Sequence, residues 1–218
     1  MKDMLNNRSI AVHSQGRIAG GLLVASLLVL LLDLIIMIAS GAAPAFPAII
    51  SGRLAEAAPY AATFRLLILG FVIAWIVQLL GLVLLTRLLV RAGDEQIAIL
   101  AFTLVLVATL LAVLYTTFRM SVELWAAQEA ARIGSVPAIF EPLRAWPHSF
   151  FAVAERAYFL ATAGFGWAIL RTGLLARWVG WAAIGWSLLW LLAGLGGGVP
   201  PATPLIMPAV IGIALLWR

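Results

Sequence analysis

The chain has 218 residues, of which 64% are hydrophobic and only 11% are charged. Soluble domains are typically about 45–50% apolar and about 25% charged, so a soluble fold of this length could not bury all its apolar surface. The bilayer must therefore act as solvent for much of the chain, and membrane lipids are its first expected partners. The net charge of +5 does not indicate nucleic acid, because the basic residues form no run and lie near the ends of apolar segments.

Six apolar segments are candidates for crossing a membrane, since about 20 residues span about 30 Å of hydrocarbon at about 1.5 Å per residue. The first is too long for the apolar region of a signal peptide, and the sixth is short and contains Pro208, which can kink a helix. The sequence predicts an all-α, polytopic transmembrane helix bundle, with residues 1–218 forming one integral membrane domain. The predicted helices cover about residues 18–40, 65–90, 97–122, 149–170, 177–195 and 203–217.

The connections between these segments also carry predictions. Residues 122–134, VELWAAQEAARIG, have the pattern of an amphipathic helix that extends the third segment and ends at Gly134. Residues 137–151 have the composition of an interfacial segment, with Phe140 among the aromatic side chains expected at headgroup depth. Residues 196–204, GGGVPPATP, predict a turn.

The distribution of basic residues predicts the orientation of the chain. Lysine and arginine are enriched in cytoplasmic loops of membrane proteins, and the side that holds both termini carries more of them. Both termini are therefore expected in the cytoplasm. The basic residues on that side are Lys2, Arg8, Arg17, Arg87, Arg91, Arg171, Arg177 and Arg218, against Arg53, Arg65, Arg119, Arg132, Arg144 and Arg156 on the other.

Charged residues within or at the ends of the predicted spans form the candidate site. A charge at the bilayer centre costs about 2.5–3.5 kcal/mol on insertion scales, so such residues usually face the bundle interior and pair. Two interpretations stay open: a buried ionic network that fixes helix packing, and a binding or proton-relay site. The members of this intramembrane charged cluster are Asp33, Arg65, Arg119, Glu123, Glu155 and Arg156.

Motifs of known chemistry are absent from the sequence. No cysteine is present, and the two histidines, His13 and His148, lie on opposite predicted sides, so no metal site or bis-histidine haem is expected. The sequence contains no His-Glu-x-x-His motif, no phosphate-cradling glycine loop and no cluster of aspartates for Mg²⁺. We therefore predict no catalytic residues and no cofactor, and the sequence favours a non-enzymatic protein.

Residues 168–185, AILRTGLLARWVGWAAIG, contain an Arg-Thr-Gly turn, an apolar pair, a basic-Trp step and a glycine. This stretch resembles an uncharacterised bacterial family of multi-helix membrane proteins, the domain-of-unknown-function 4386 family. Ala176 stands where that family commonly has proline, and FRMSVEL resembles the Arg/Glu pair of its third helix. The resemblance implies a multi-pass protein of the bacterial inner membrane and no particular activity. The matching residues are Arg171, Thr172, Gly173, Arg177, Trp178 and Gly180.

Three functions are compatible with these features. The first is a non-enzymatic accessory or scaffolding subunit, or a small sensor, that binds other membrane subunits through small-residue and Trp-rich helix faces. The second is a small-solute or proton-coupled transporter with Asp33, Arg119 and Glu155 lining its site. The third is a membrane enzyme that acts on lipid at the outer interface through Glu155 or His148.

Overall fold

A computed structural model of the chain describes residues 2–50, 52–194, 200 and 202–218. These residues are almost entirely helical and include no strand, which confirms the all-α prediction. A 3₁₀ helix spans Leu54–Tyr60, and a π-helical segment spans Arg119–Glu123. The α-helices of the described part are α1 (Lys2–Ala39), α2 (Ala45–Ile50), α3 (Ala61–Arg91), α4 (Glu95–Phe118), α5 (Leu124–Ile133), α6 (Phe140–Thr172), α7 (Arg177–Ala193) and α8 (Thr203–Leu216).

Three helical segments of the described chain are long and apolar enough to cross a membrane: His13–Ala39, Leu54–Arg91 and Glu95–Ile133. The last of them is helical from α4 through the π-helical segment into α5. α5 ends as predicted: Gly134 adopts a left-handed conformation with φ of 78°, and its amide donates to the carbonyl of Ala130 at 3.0 Å. α8 is a shorter apolar helix.

The observed helices cover the six predicted segments, but two of them begin earlier than predicted: α1 begins at Lys2 instead of about residue 18, and α6 begins in the region expected to be interfacial. Residues from Phe140 onward belong to α6, which continues through Pro147. Proline is compatible with helical φ and removes a single backbone donor. Next to it, His148 and Ser149 bond through their side chains to the backbone carbonyls four residues earlier, at 2.8 and 3.1 Å. The predicted turn at residues 196–204 lies largely outside the described residues.

The chain divides into two compact units, each built from segments that are not consecutive in sequence. The first contains residues 1–28, 74–109 and 154–218, and the second contains residues 29–73 and 110–153. The sequence-based division into a single domain stays a prediction.

In the first unit, pairs of helices approach closely at glycine residues, which have no side chain to keep the backbones apart. A Cβ at Gly166 of α6 would lie 2.7 Å from the carbonyl oxygen of Gly180 in α7. A Cβ at Gly212 of α8 would lie 2.8 Å from the carbonyl oxygen of Gly20 in α1. Small residues at contacts of this kind are typical of helix packing in membranes, where van der Waals contact drives association.

Polar contacts bring several connections to one end of the first unit. The Arg91 guanidinium at the end of α3 donates to the side-chain amide oxygen of Gln15 in α1, at 2.5 Å. Arg171 near the end of α6 lies 3.7 Å from the Asp94 carboxylate, just before α4. The last turn of α8 packs near Gly20 in the same region of α1. The early part of α1, the α3–α4 and α6–α7 connections and the end of α8 therefore share one end.

The second unit contains a small hydrophobic core, in which the 3₁₀ helix and α5 pack with the first residues of α3 and of α6. The 3₁₀ helix contributes Leu54, α3 contributes Phe64, α5 contributes Leu124 and the start of α6 contributes Phe140. Alanines on the inner face of α5 allow the 3₁₀ helix to pack closely against it. Because Phe140 is buried in this core, the helical part of residues 137–151 packs against the rest of the second unit.

Candidate functional site

Arg119 and Glu123 form a buried ion pair within the π-helical segment of the second unit. Arg119 Nε donates to Glu123 Oε2 at 2.8 Å, and the side chains are 12% and 1% exposed. The guanidinium also lies over the rings of Phe64 and Tyr115, with its central carbon 5.2 and 5.6 Å from the two ring centroids. Charge pairing and cation–π contact lower the cost of burying both groups. This geometry favours a structural role for the pair.

Aromatic side chains continue from Tyr115 towards the start of α6. Tyr115 stacks on Phe151 with ring centroids 4.5 Å apart, and it meets the His148 ring edge-on at 5.5 Å. His148 is exposed, and its Nδ1 donates to the carbonyl of Arg144 at 2.8 Å. A carbonyl can only accept, so the bonded nitrogen carries the proton.

Asp33 in α1 rests against the backbone of α3 at Gly70, whose missing side chain leaves room for the carboxylate. The residue is half-buried, and its Oδ2 is fully buried with no hydrogen-bond partner among the described residues. No ion pair to Asp33 forms within the described ranges. Arg65, on α3 of the same unit, is exposed.

Arg156 belongs to the first unit and is exposed. Its Nη2 donates to the carbonyl oxygen of Gly194, directly after the last residue of α7, at 3.3 Å. A cation at a helix C-terminus satisfies a backbone carbonyl that has no partner within the helix and interacts favourably with the helix dipole. Arg156 therefore stabilises the end of α7.

The Glu155 side chain points in a different direction from the Arg156 side chain, since adjacent residues are about 100° apart around the axis of a helix. It is only 8% exposed, and its Oε1 finds no hydrogen-bond partner in the described part of the chain. Tyr158, one turn later on the same face of α6, is 1% exposed, and its hydroxyl likewise has no partner there. Sequence reasoning did not single out Tyr158, although its spacing of three residues from Glu155 could have identified it.

The six predicted site residues thus divide between the two units. The structure brings Arg119 and Glu123 together, and Asp33 and Arg65 lie in the same unit as this pair. Glu155 and Arg156 lie in the other unit. A single network of all six residues stays a prediction.

Among the described residues, no three or more His, Asp or Glu side chains form a group that could hold a metal ion. Comparisons with models of protein families, with curated proteins and with solved structures found no match for this chain. Functional inference therefore depends on the chemistry of these side chains.

Proposed function

We propose that the chain is a multi-pass protein of the bacterial inner membrane that crosses the bilayer six times, with both termini in the cytoplasm. Three long apolar helices support the membrane location. At about 1.5 Å per residue, α6 extends about 50 Å and is long enough to cross the hydrocarbon thickness of about 30 Å. The helices α7, at about 26 Å, and α8, at about 21 Å, are shorter than that thickness. The common end of the first unit carries Arg91 and Arg171, which agrees with a cytoplasmic face.

Cysteine accessibility tests this topology, because the chain has no native cysteine. We expect an impermeant thiol reagent, added outside intact cells, to label Arg53→Cys and to leave Arg8→Cys unlabelled. Permeabilised cells should give labelling at both positions, which controls for reactivity. Outside labelling at position 8, or protection at position 53 until the membrane is opened, would contradict the orientation.

Within this topology we propose a non-enzymatic accessory role, in which α1 binds a helix of another membrane subunit. The observation that carries this proposal is the exposure of the outer half of α1. From residue 31 to residue 39, every side chain except Asp33 and Met37 is exposed, and those two are only half-buried. Asp33 and Met37 are four residues apart, so this stretch contacts its own unit along one narrow face.

The carboxylate of Asp33 indicates which kind of side chain the partner helix carries. Lipid tails can cover exposed leucine and isoleucine, but a carboxylate in hydrocarbon stays costly unless a donor reaches it. Helices in membranes associate through such polar contacts and through close packing. The partner is therefore a transmembrane helix that carries a basic or hydrogen-bond-donating side chain at the depth of Asp33.

Replacing the charge tests the proposal. We expect Asp33→Asn to weaken the complex by about 1–2 kcal/mol, or about five- to thirtyfold in affinity, because interhelical polar contacts have this strength. Quantitative mass spectrometry after purification in mild detergent measures the recovery of the partner. Glu155→Gln, the same acid-to-amide change in the first unit, is the matched control and should leave recovery unchanged. Equal recovery from wild type and both variants would contradict the role of Asp33.

A second candidate, a small-solute or proton-coupled transporter, is favoured by one observation. Glu155 is a carboxylate buried in an apolar unit, and the described residues leave one of its oxygens without a donor. Intramembrane acids of this kind often belong to proton relays and ion pathways.

A further inference from the structure

One end of the first unit carries a cluster of exposed arginines. The contacts of Arg91 with Gln15 and of Arg171 with Asp94 bring the early part of α1 and the α3–α4 and α6–α7 connections to this end, where α8 also ends. The described residues there include six arginines but only two acids, Asp94 and Glu95. The basic cluster consists of Arg17, Arg87, Arg91, Arg171, Arg177 and Arg218, all of which are exposed.

The acids at this end do not neutralise the basic cluster. Asp94 is 4% exposed and interacts with Arg171, whose Nε lies 3.7 Å from the carboxylate. Arg91 bonds to the uncharged side-chain amide of Gln15. Within the described part of the chain, no ion pair joins any other arginine of the cluster to an acid. The cluster therefore keeps an excess of positive charge, which ions from outside the chain must balance.

The arginines of the second unit are compensated in a different way. Four of them form ion pairs with a glutamate three or four residues away in sequence: Arg53 with Glu56, Arg119 with Glu123, Arg132 with Glu129 and Arg144 with Glu141. These arginines have their counter-charges within the chain. The uncompensated positive charge is therefore a particular property of the basic cluster and not of every arginine in this protein.

The guanidinium groups of Arg91 and Arg171 keep donors with which to bind an anion. A guanidinium has five N–H donors. The contact of Arg171 with Asp94 involves Nε, and the bond of Arg91 to Gln15 involves Nη1. The Arg171 side chain is 54% exposed, so its other N–H groups can be reached from outside the chain. Such groups match the oxygen atoms of a phosphate, which arginine can bind through two parallel hydrogen bonds.

Exposed tryptophans at the same end indicate that the phosphate belongs to a lipid. Trp178 follows Arg177 and is 61% exposed, and Trp217 precedes Arg218 and is 87% exposed. Tryptophan is enriched at membrane–water interfaces, where its ring lies at the level of the lipid headgroups. Basic side chains at that level attract anionic lipids, and basic pockets between transmembrane helices bind their headgroups. The neighbouring aromatic and basic side chains thus match the two parts of a lipid at the interface.

We propose that the basic cluster is a binding site for an anionic phospholipid. Arg91 and Arg171 donate hydrogen bonds to the oxygen atoms of its phosphodiester, and Arg177 contributes through its positive charge. Asp94 holds the Nε edge of Arg171, which leaves the other edge of the guanidinium for the lipid. This inference goes beyond the accessory role of α1 and does not depend on it.

Native mass spectrometry of the full chain, released from detergent micelles, tests the site by counting bound lipids during a titration. We expect phosphatidylglycerol, which is anionic, to bind more tightly than phosphatidylcholine, which has the same phosphodiester but no net charge. Inorganic phosphate at the same concentrations should not displace the bound phosphatidylglycerol. Equal affinities for the two lipids, or displacement by inorganic phosphate, would overturn the proposal.

A substitution in the cluster assigns the binding to these residues. Arg177→Gln should weaken phosphatidylglycerol binding about fivefold, because one basic side chain near an anionic lipid contributes about 1 kcal/mol. This variant keeps the contact between Arg171 and Asp94. Arg132→Gln, at an arginine of the second unit whose side chain is 70% exposed, is the matched control and should leave the affinity unchanged. Wild-type affinity in Arg177→Gln, or an equal loss in Arg132→Gln, would overturn the assignment of the site to the basic cluster.

Discussion

Glu123→Gln should lower the free energy of unfolding by about 3–5 kcal/mol, because it leaves the buried Arg119 guanidinium without its counter-charge. Glu123 is almost completely buried, and the pair distance of 2.8 Å is that of a strong charge-assisted hydrogen bond. Denaturant titration in detergent micelles, followed by circular dichroism, measures the effect. Arg119→Met combined with Glu123→Met should recover part of the loss, since it removes both charges together.

An exposed ion pair in the same chain is the control for this prediction. Arg53 and Glu56 form an ion pair of similar length, 3.0 Å, but their side chains are 59% and 55% exposed. Exposed pairs contribute about 0–1 kcal/mol, so Glu56→Gln should change stability little. Equal effects of Glu56→Gln and Glu123→Gln would show that burial does not determine the contribution of the Arg119–Glu123 pair.

Gly166→Ala should destabilise the protein by about 1–3 kcal/mol, the usual cost of forcing an extra carbon into a well-packed interior. The added Cβ would lie 2.7 Å from the backbone carbonyl of Gly180, and backbone cannot move aside as a flexible side chain can. Thermal unfolding in the same detergent measures the change.

Gly185→Ala is the matched control, because Gly185 also lies in a helix but has no atom within 4 Å of the position of a Cβ. Alanine is a better helix former than glycine by about 1 kcal/mol, so this variant should be neutral or more stable. A decrease of the same size in both variants would contradict the proposed close approach of α6 and α7.

The helices were largely predictable because long apolar runs interrupted by arginine and glycine define them. Gly134 after an amphipathic segment correctly predicted the end of α5. The start of α6 was not predictable from local pattern, since Pro147 suggests an interruption. Phe140 contributes to a core formed by elements distant in sequence, and this tertiary contact, with side-chain bonds next to the proline, keeps the helix continuous.

The candidate site was predictable only where its geometry is local. The spacing of Arg119 and Glu123 predicts a shared helix face, and the structure shows the pair. Arg156 bonds to Gly194, 38 residues away, and no local pattern indicates which helix end it reaches. The surroundings of Glu155 depend on how α3, α4 and α6 pack, which is a property of the folded chain.

Photo-crosslinking from α1 in native membranes tests the proposed accessory role most directly. A benzophenone amino acid at Ile36, which is exposed and three residues after Asp33, should form an adduct with one defined membrane protein. The same group at Leu100 of α4, also exposed, should react only with lipid, and Asp33→Asn should reduce the yield of the Ile36 adduct. Lipid adducts alone at both positions in the wild-type protein would contradict the role of α1 as the partner-binding helix.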